Sequence, residues 1–173
     1  MSIQNTRQQT YLSIGSNIEP RVTNINASLL ALQKIGTITA VSSVYETQSW
    51  GFSSTHFLNI VIEFETLFQP MDLLKELQQI ELDLGREKTE FYSDRPIDID
   101  ILFYEDKIVI SPELTIPHPR LQERNFTLIP MNEINPYFIH PQLNRTINYL
   151  CEHCKDNNYI QIVTEKLIVV NKK

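Results

Sequence analysis

Near the middle of the chain, Ile97-Asp98-Ile99-Asp100-Ile101 alternates apolar and acidic residues without a break. Strand side chains point to the two faces in turn, so this pattern belongs to an extended segment. The three isoleucines then face a core, and the two aspartates face the other way together. At ~6 Å and an effective dielectric of ~20, two such carboxylates repel by roughly 3 kcal/mol. A cation between them removes that cost, and Mg²⁺ takes one or two carboxylates together with phosphate oxygens and water. The same spacing also serves an ordinary solvated strand face, so the surrounding residues carry the distinction.

Those residues are basic. Arg86, Lys88 and Arg95 precede the strand, and His118, Arg120 and Arg124 follow it. Arginine offers a planar fork to phosphate oxygens and lysine a point charge. The chain carries a net charge of −6, so its bulk field repels nucleic acid. Cations gathered around an acid pair in such a chain suit Mg²⁺ with a polyphosphate. The glycine-rich P-loop pattern is absent, so a nucleotide would be held by other means. Trp50, Phe57 and Phe126 could sandwich a flat heterocycle while Asn59 reads its edge, although the same rings serve equally as core. Gln78 and Glu81 stand three apart on one helix face, and His118 is held between Pro117 and Pro119.

Apolar spacing predicts helices over residues 22–35 and 71–84, the second with Pro70 at its start and Gly85 at its end. Strands are expected over residues 10–15, 38–46, 57–66 and 97–104, with 107–110 pairing back on the last as a hairpin. The order strand, helix, strand, strand, helix, strand is that of an α+β, ferredoxin-like βαββαβ sandwich. A short helix over 126–134, broken by Pro130, comes next, and an additional C-terminal helix (143–154) and strand (159–170) complete it. Residues 1–9 read as a disordered polar tail and 10–173 as a single domain of ordinary composition, 42% hydrophobic and 21% charged. The polar start lacks an apolar signal core, no apolar stretch reaches bilayer length, and Cys151 and Cys154 fit a reduced compartment. The expectation is a cytoplasmic protein with no membrane partner; nothing in the pattern sets an oligomeric state. Cys151-Glu152-His153-Cys154 has the spacing of half a zinc site without a second half, and reads as ordinary helix residues.

Five blocks in order resemble the 6-hydroxymethyl-7,8-dihydropterin pyrophosphokinase family: YLSIGSN from Tyr11, FLN at 57–59, IELDLGR at 80–86, DRPIDIDILF at 94–103 and PHPRLQERNF at 117–126. Each is weak alone; their order and spacing are specific. The resemblance implies transfer of pyrophosphate from ATP to 6-hydroxymethyl-7,8-dihydropterin, releasing AMP, in folate biosynthesis, with two Mg²⁺ ions and small-molecule substrates only. It implies that Asp98 and Asp100 hold the metal and that Arg86, Lys88 and Arg95 join them in catalysis. Gln78, Glu81, Ile101, Thr115, His118 and Arg124 match positions that bind ATP, the third and fourth near the adenine. Thr47, Gln48, Trp50, Phe57, Asn59 and Phe126 match the pterin site. Residues 86–96 match a loop that closes over it, with Tyr92 near its usual aromatic. The chain departs from the pattern at Lys88, at Ser93-Asp94 in place of Gly-Pro, and at Gln48 and Trp50. Residues 159–173 have no clear counterpart.

Overall fold

The computed structural model describes residues 6–51, 53–87 and 93–167. In chain order the first elements are β1 (Gln8–Ser16), α1 (Arg21–Leu32), β2 (Gly36–Val41), β3 (Val44–Thr47), β4 (Phe57–Thr66), α2 (Pro70–Asp83) and β5 (Asp98–Tyr104). Then follow β6 (Val109–Ile110), β7 (Thr115–Ile116), a 3₁₀ turn (Leu121–Glu123), α3 (Asn125–Ile134), β8 (Ile139–His140), β9 (Arg145–Thr146), α4 (Ile147–Glu152) and β10 (Ile160–Val163). The main sheet runs β10-β3-β4-β1-β5, with β2 also on β4, and its pairings are antiparallel. The class is therefore α+β: a main antiparallel sheet with helices on both faces, accompanied by the two-stranded pairs β6-β7 and β8-β9.

Period-two alternation along the strands builds both faces. Leu12, Ile14, Ile60, Ile62, Ile99 and Ile101 pack against Ile25, Leu29 and Leu32 of α1 and Leu73, Leu77 and Ile80 of α2. Each fully buried aliphatic side chain of this kind stabilises the fold by roughly 1.5–3 kcal/mol. On the opposite face Tyr11, Val61 and Phe103 meet Leu128 and Met131 of α3 and Ile147 of α4. The second core covers only part of that face and leaves the ends of β1, β4 and β5 nearest Gly15, Asn59 and Asp98 to the cavity described below.

Several local expectations are corrected. The strand expected over 38–46 is two strands, broken at Ser42 and Ser43. Ser42 Oγ accepts the Val61 N–H at 3.0 Å, while the Glu133 carboxylate of α3 accepts the Ser43 N–H and hydroxyl, the latter at 2.9 Å. Side-chain partners there replace ladder bonds, and they also dock α3 to the sheet. Residues 109–110 pair with β7 instead of β5, because the His118 N–H takes the Leu102 carbonyl on that edge at 3.0 Å. α3 continues through Pro130; the missing N–H deprives only the Phe126 carbonyl in the first turn. The C-terminal helix begins later than expected, at Ile147, where Thr146 Oγ1 accepts the Tyr149 N–H at 3.2 Å. β1 starts at Gln8, inside the segment expected to be a tail, with Gln8 and Gln9 in register with Thr66 and Glu65. The last strand spans 160–163, and residues 168–170 of the predicted strand lie outside the described residues. Among the described residues no helix is long and apolar enough to cross a membrane.

Candidate active site

Register across the sheet sets the site. Gly15 lies opposite Asn59 on β4 and opposite Asp98 on β5; Ser13 lies opposite Asp100. With strands ~4.8 Å apart, an acid and an amide flank a strip of sheet that carries no side chain. Gly15 is required there, because a Cβ would stand 2.6 Å from Asn59 Oδ1 and 3.5 Å from the Phe57 ring. A cavity of about 230 Å³ opens over this strip, lined from the sheet by Ser13, Gly15, Thr47, Phe57, Asn59, Asp98 and Asp100. Gln48, Trp50, Arg86, Arg95, His118, Arg124 and Phe126 complete its walls.

One end is ionic. Arg86 Nη1 donates to Asp98 Oδ1 at 2.6 Å and to Glu81 Oε1 at 2.5 Å; Arg95 Nε stands 3.3 Å from Asp98 Oδ2. Glu81 is buried and also accepts the Ile99 N–H at 2.6 Å, so it braces the arginine against β5. Burial pushes its carboxyl up to about 7, against the pull of Arg86 and that N–H. Asp100 keeps one side open to the cavity but is enclosed by protein around it; desolvation, then the Asp98 charge, raises its carboxyl to about 7. Burial, followed by the Arg124 charge, lowers His118 to about 4, so its ring is neutral at pH 7. His118 Nδ1 accepts the Arg120 N–H at 3.2 Å, which leaves the ring proton on Nε2.

The other end is aromatic. Asn59 Nδ2 donates to Thr47 Oγ1 at 2.7 Å, which orients the amide. The Arg124 guanidinium lies 4.4 Å from the Trp50 ring centre and 5.5 Å from that of Phe126, and Arg95 lies 5.6 Å from that of Phe57. Asn17 ties the two flanking loops to β1. Its Oδ1 accepts the Arg95 N–H at 2.8 Å, its Nδ2 donates to Asp94 at 2.6 Å, and its carbonyl accepts from Thr55 at 2.9 Å.

The fold thus gathers most of the predicted residues. Glu81 stands behind Arg86, Gln78 is exposed on α2, the Ile101 side chain is in the core and Thr115 is on β7. None of these four lines the cavity. Lys88 and Tyr92 lie outside the described residues. Ser13, Gly15 and Asn17 join the site although nothing in their chemistry marks them in the sequence. Their signals are the small and polar run Ser13-Ile14-Gly15-Ser16-Asn17 closing an apolar strand and the family block from Tyr11 to which that run belongs. Cys151 and Cys154 are free thiols packed beside the second core, and His153 stacks on Tyr149 at 4.0 Å. Among the described residues no group of three or more His, Cys, Asp or Glu side chains could hold a metal ion. Asp98 and Asp100 still fit a hard cation: the charge of one raises the other, and two carboxylates leave the remaining positions to phosphate oxygens and water.

An acid pair and guanidiniums at one end, with an aromatic slot and an oriented amide at the other, equip a group-transfer enzyme for a planar small molecule. The model of the 7,8-dihydro-6-hydroxymethylpterin-pyrophosphokinase (HPPK) family matches residues 11–136, and the chain belongs to that family. A Porphyromonas gingivalis 2-amino-4-hydroxy-6-hydroxymethyldihydropteridine pyrophosphokinase is 42% identical over 138 residues, covering 76% of this chain and 93% of its own. The Aquifex aeolicus protein of the same name is 38% identical over 132 residues, covering 76% and 82%. A crystal structure of Plasmodium falciparum HPPK-DHPS superposes with a TM-score of 0.70 at 18% identity, covering 87% of this chain and 46% of that one. The chain therefore spans under half of that protein's length, and the likeness concerns the fold.

Proposed function

We propose that this protein transfers the pyrophosphoryl group of ATP to the hydroxymethyl oxygen of 6-hydroxymethyl-7,8-dihydropterin and releases AMP, as a step of folate biosynthesis. Family membership supports the reaction. The observation that carries the assignment of roles is the row Asn59–Gly15–Asp98, which joins an amide-and-aromatic end to an acid end through a side-chain-free strip.

In this reading Phe57 and Phe126 sandwich the pterin, Asn59 reads its edge in the orientation Thr47 gives it, and Gln48 and Trp50 form the rim. The hydroxymethyl arm lies along Gly15 toward the aspartates. Its oxygen attacks the β-phosphorus in line and gives up its proton to solvent as the bond to the α,β-bridging oxygen breaks, and AMP departs with that oxygen. Asp98 and Asp100 would hold Mg²⁺, two ions by family resemblance, which supplies charge neutralisation for the phosphate oxygens. Arg86 and Arg95 present their forks to the phosphates, with Lys88 and Arg124 adding charge and neutral His118 a donor. The set contains no activated nucleophile, so positioning and preorganised charge carry the rate. At about 230 Å³ the cavity falls below the roughly 300–1,000 Å³ usual for ligand pockets. The adenosine half of ATP would accordingly extend over the rim, toward Gln78, Glu81, Thr115 and the backbone of Ile101. The same proposal takes the fold as ferredoxin-like, the chain as one domain acting in the cytoplasm, and residues 86–96 as the closing loop.

The test is incubation of the protein with ATP, Mg²⁺ and the dihydropterin, followed by separation of nucleotides. AMP that requires both Mg²⁺ and pterin supports the reading; ADP, or no turnover by folded protein that binds both substrates, refutes it.

A further inference from the structure

The family model ends at residue 136, yet a later segment reaches the aromatic end of the cavity from outside. Asp156 Oδ2 accepts the N–H of Asn125, the first residue of α3, at 3.0 Å, while its Oδ1 accepts the Asn158 N–H at 3.0 Å. The residue at the start of α3, Arg124, supplies no side-chain cap of its own. Asp156 therefore satisfies an N–H that the helix leaves open and adds negative charge at its positive end. The next residue of the helix is Phe126, and the preceding one is Arg124, stacked between Phe126 and Trp50.

Three residues further on, the Tyr159 carbonyl accepts the Gln48 N–H at 3.1 Å, and its ring stacks on His56 at 5.3 Å and 28°. β10 then continues in register, Ile160 opposite Thr47. His56 and Gln48 sit at the two ends of the loop that carries Trp50. Residues 156–160 are thus fastened to both walls of the aromatic slot, across a seam too narrow to admit water.

We infer that Asp156, with the Tyr159 turn, is a positioning element for the pterin half of the site: it sets the gap between the Phe126 wall and the Gln48–Trp50 rim. It touches no reacting atom. This inference rests on the proposed pterin reading of that slot, and it predicts a larger effect on pterin affinity than on nucleotide affinity, because the hydrogen bonds, ring stack and strand pairing just described for residues 156–160 fall at the aromatic end.

The experiment compares wild type, Asp156→Ala, Asp156→Asn and Tyr159→Leu by steady-state kinetics in both substrates and by emission and quenching of Trp50, the chain's single tryptophan. Asp156→Ala is expected to raise the KM for dihydropterin by about five- to tenfold, with kcat and the KM for ATP within about twofold. Trp50 should become more accessible to quencher before substrate is added. Asp156→Asn keeps an acceptor for Asn125 and should restore most of the pterin affinity, which loss of bulk stability alone would not predict. Tyr159→Leu should move in the same direction as Asp156→Ala, and it carries the test if the alanine variant does not fold. An unchanged pterin KM with unchanged Trp50 quenching overturns the inference, as does an equal loss for both substrates. A wild-type protein that forms no AMP would instead overturn the reaction, while Trp50 quenching would still report whether Asp156 holds the rim.

Discussion

At the acid end of the cavity Asp98 is gripped by Arg86 and Arg95, and Arg86 is braced by a buried Glu81. At the aromatic end Asn59 is set by one neutral hydrogen bond from its amide to Thr47 and by the room Gly15 leaves. The first arrangement is built from charges that ligands and cations can redistribute: the arginines now on Asp98 are also the groups best suited to phosphate. The second is built from shape, and offers a planar ligand a slot with its reading group already aimed. In the proposed reaction a site that must both bind a rigid heterocycle and stabilise developing phosphate charge gains from this division, since preorganised shape serves affinity and preorganised charge serves the transition state.

The division predicts that changes at the acid end act on turnover, and changes at the aromatic end on pterin binding. The largest effect is expected from Asp98→Ala, which should lower kcat by ~10³-fold or more while circular dichroism stays native. A variant that keeps near wild-type Mg²⁺-dependent activity would break the comparison at its stronger end. Gly15→Ala comes next. The added methyl meets Asn59 Oδ1, so pterin affinity should fall by at least about tenfold and stability by about 1–3 kcal/mol, read by calorimetric binding and denaturant melts. Thr47→Val keeps the shape but removes the acceptor for Asn59 Nδ2. A loss of about 1 kcal/mol, or roughly fivefold in pterin affinity with kcat unchanged, would sharpen the distinction between shape and charge.

The smallest effect concerns pH. His118 titrates at about 4 in the fold against 6.5 ordinarily, so the unfolded chain takes up the proton first as pH falls. Its contribution to stability is complete above pH 6.5 and is lost as pH drops toward 4. Replacing it by His118→Asn should therefore flatten the stability profile between pH 6.5 and 5, by on the order of 1 kcal/mol, measured by urea unfolding.

Much of the site is legible in the amino-acid sequence. The alternation of Ile97 to Ile101 separates core from acid face, and the structure buries all three isoleucines while Asp98 and Asp100 meet the cavity. The spacing of Leu73, Leu77 and Ile80 likewise foretells the buried stripe of α2. These are properties of one element at a time, and local periodicity carries them. The break at Ser42-Ser43 is not legible there, because Glu133, 90 residues away, supplies the competing partner. The same holds for β6, whose pairing depends on what else occupies the edge of β5.

The sequence by itself determined the kinds of chemistry present: an acid pair on one strand face, cations on both sides of it, rings and an amide elsewhere, and blocks that mark a pterin pyrophosphokinase. Tertiary structure alone decided that Gly15 would lie between Asn59 and Asp98, that Glu81 would stand behind Arg86 and leave the cavity to others, and that Asp156 would cap α3 beside Phe126. The reason is physical. Periodicity within an element chooses the face a side chain takes. Which strands and loops meet across that face depends on sheet register and on burial summed over the whole molecule.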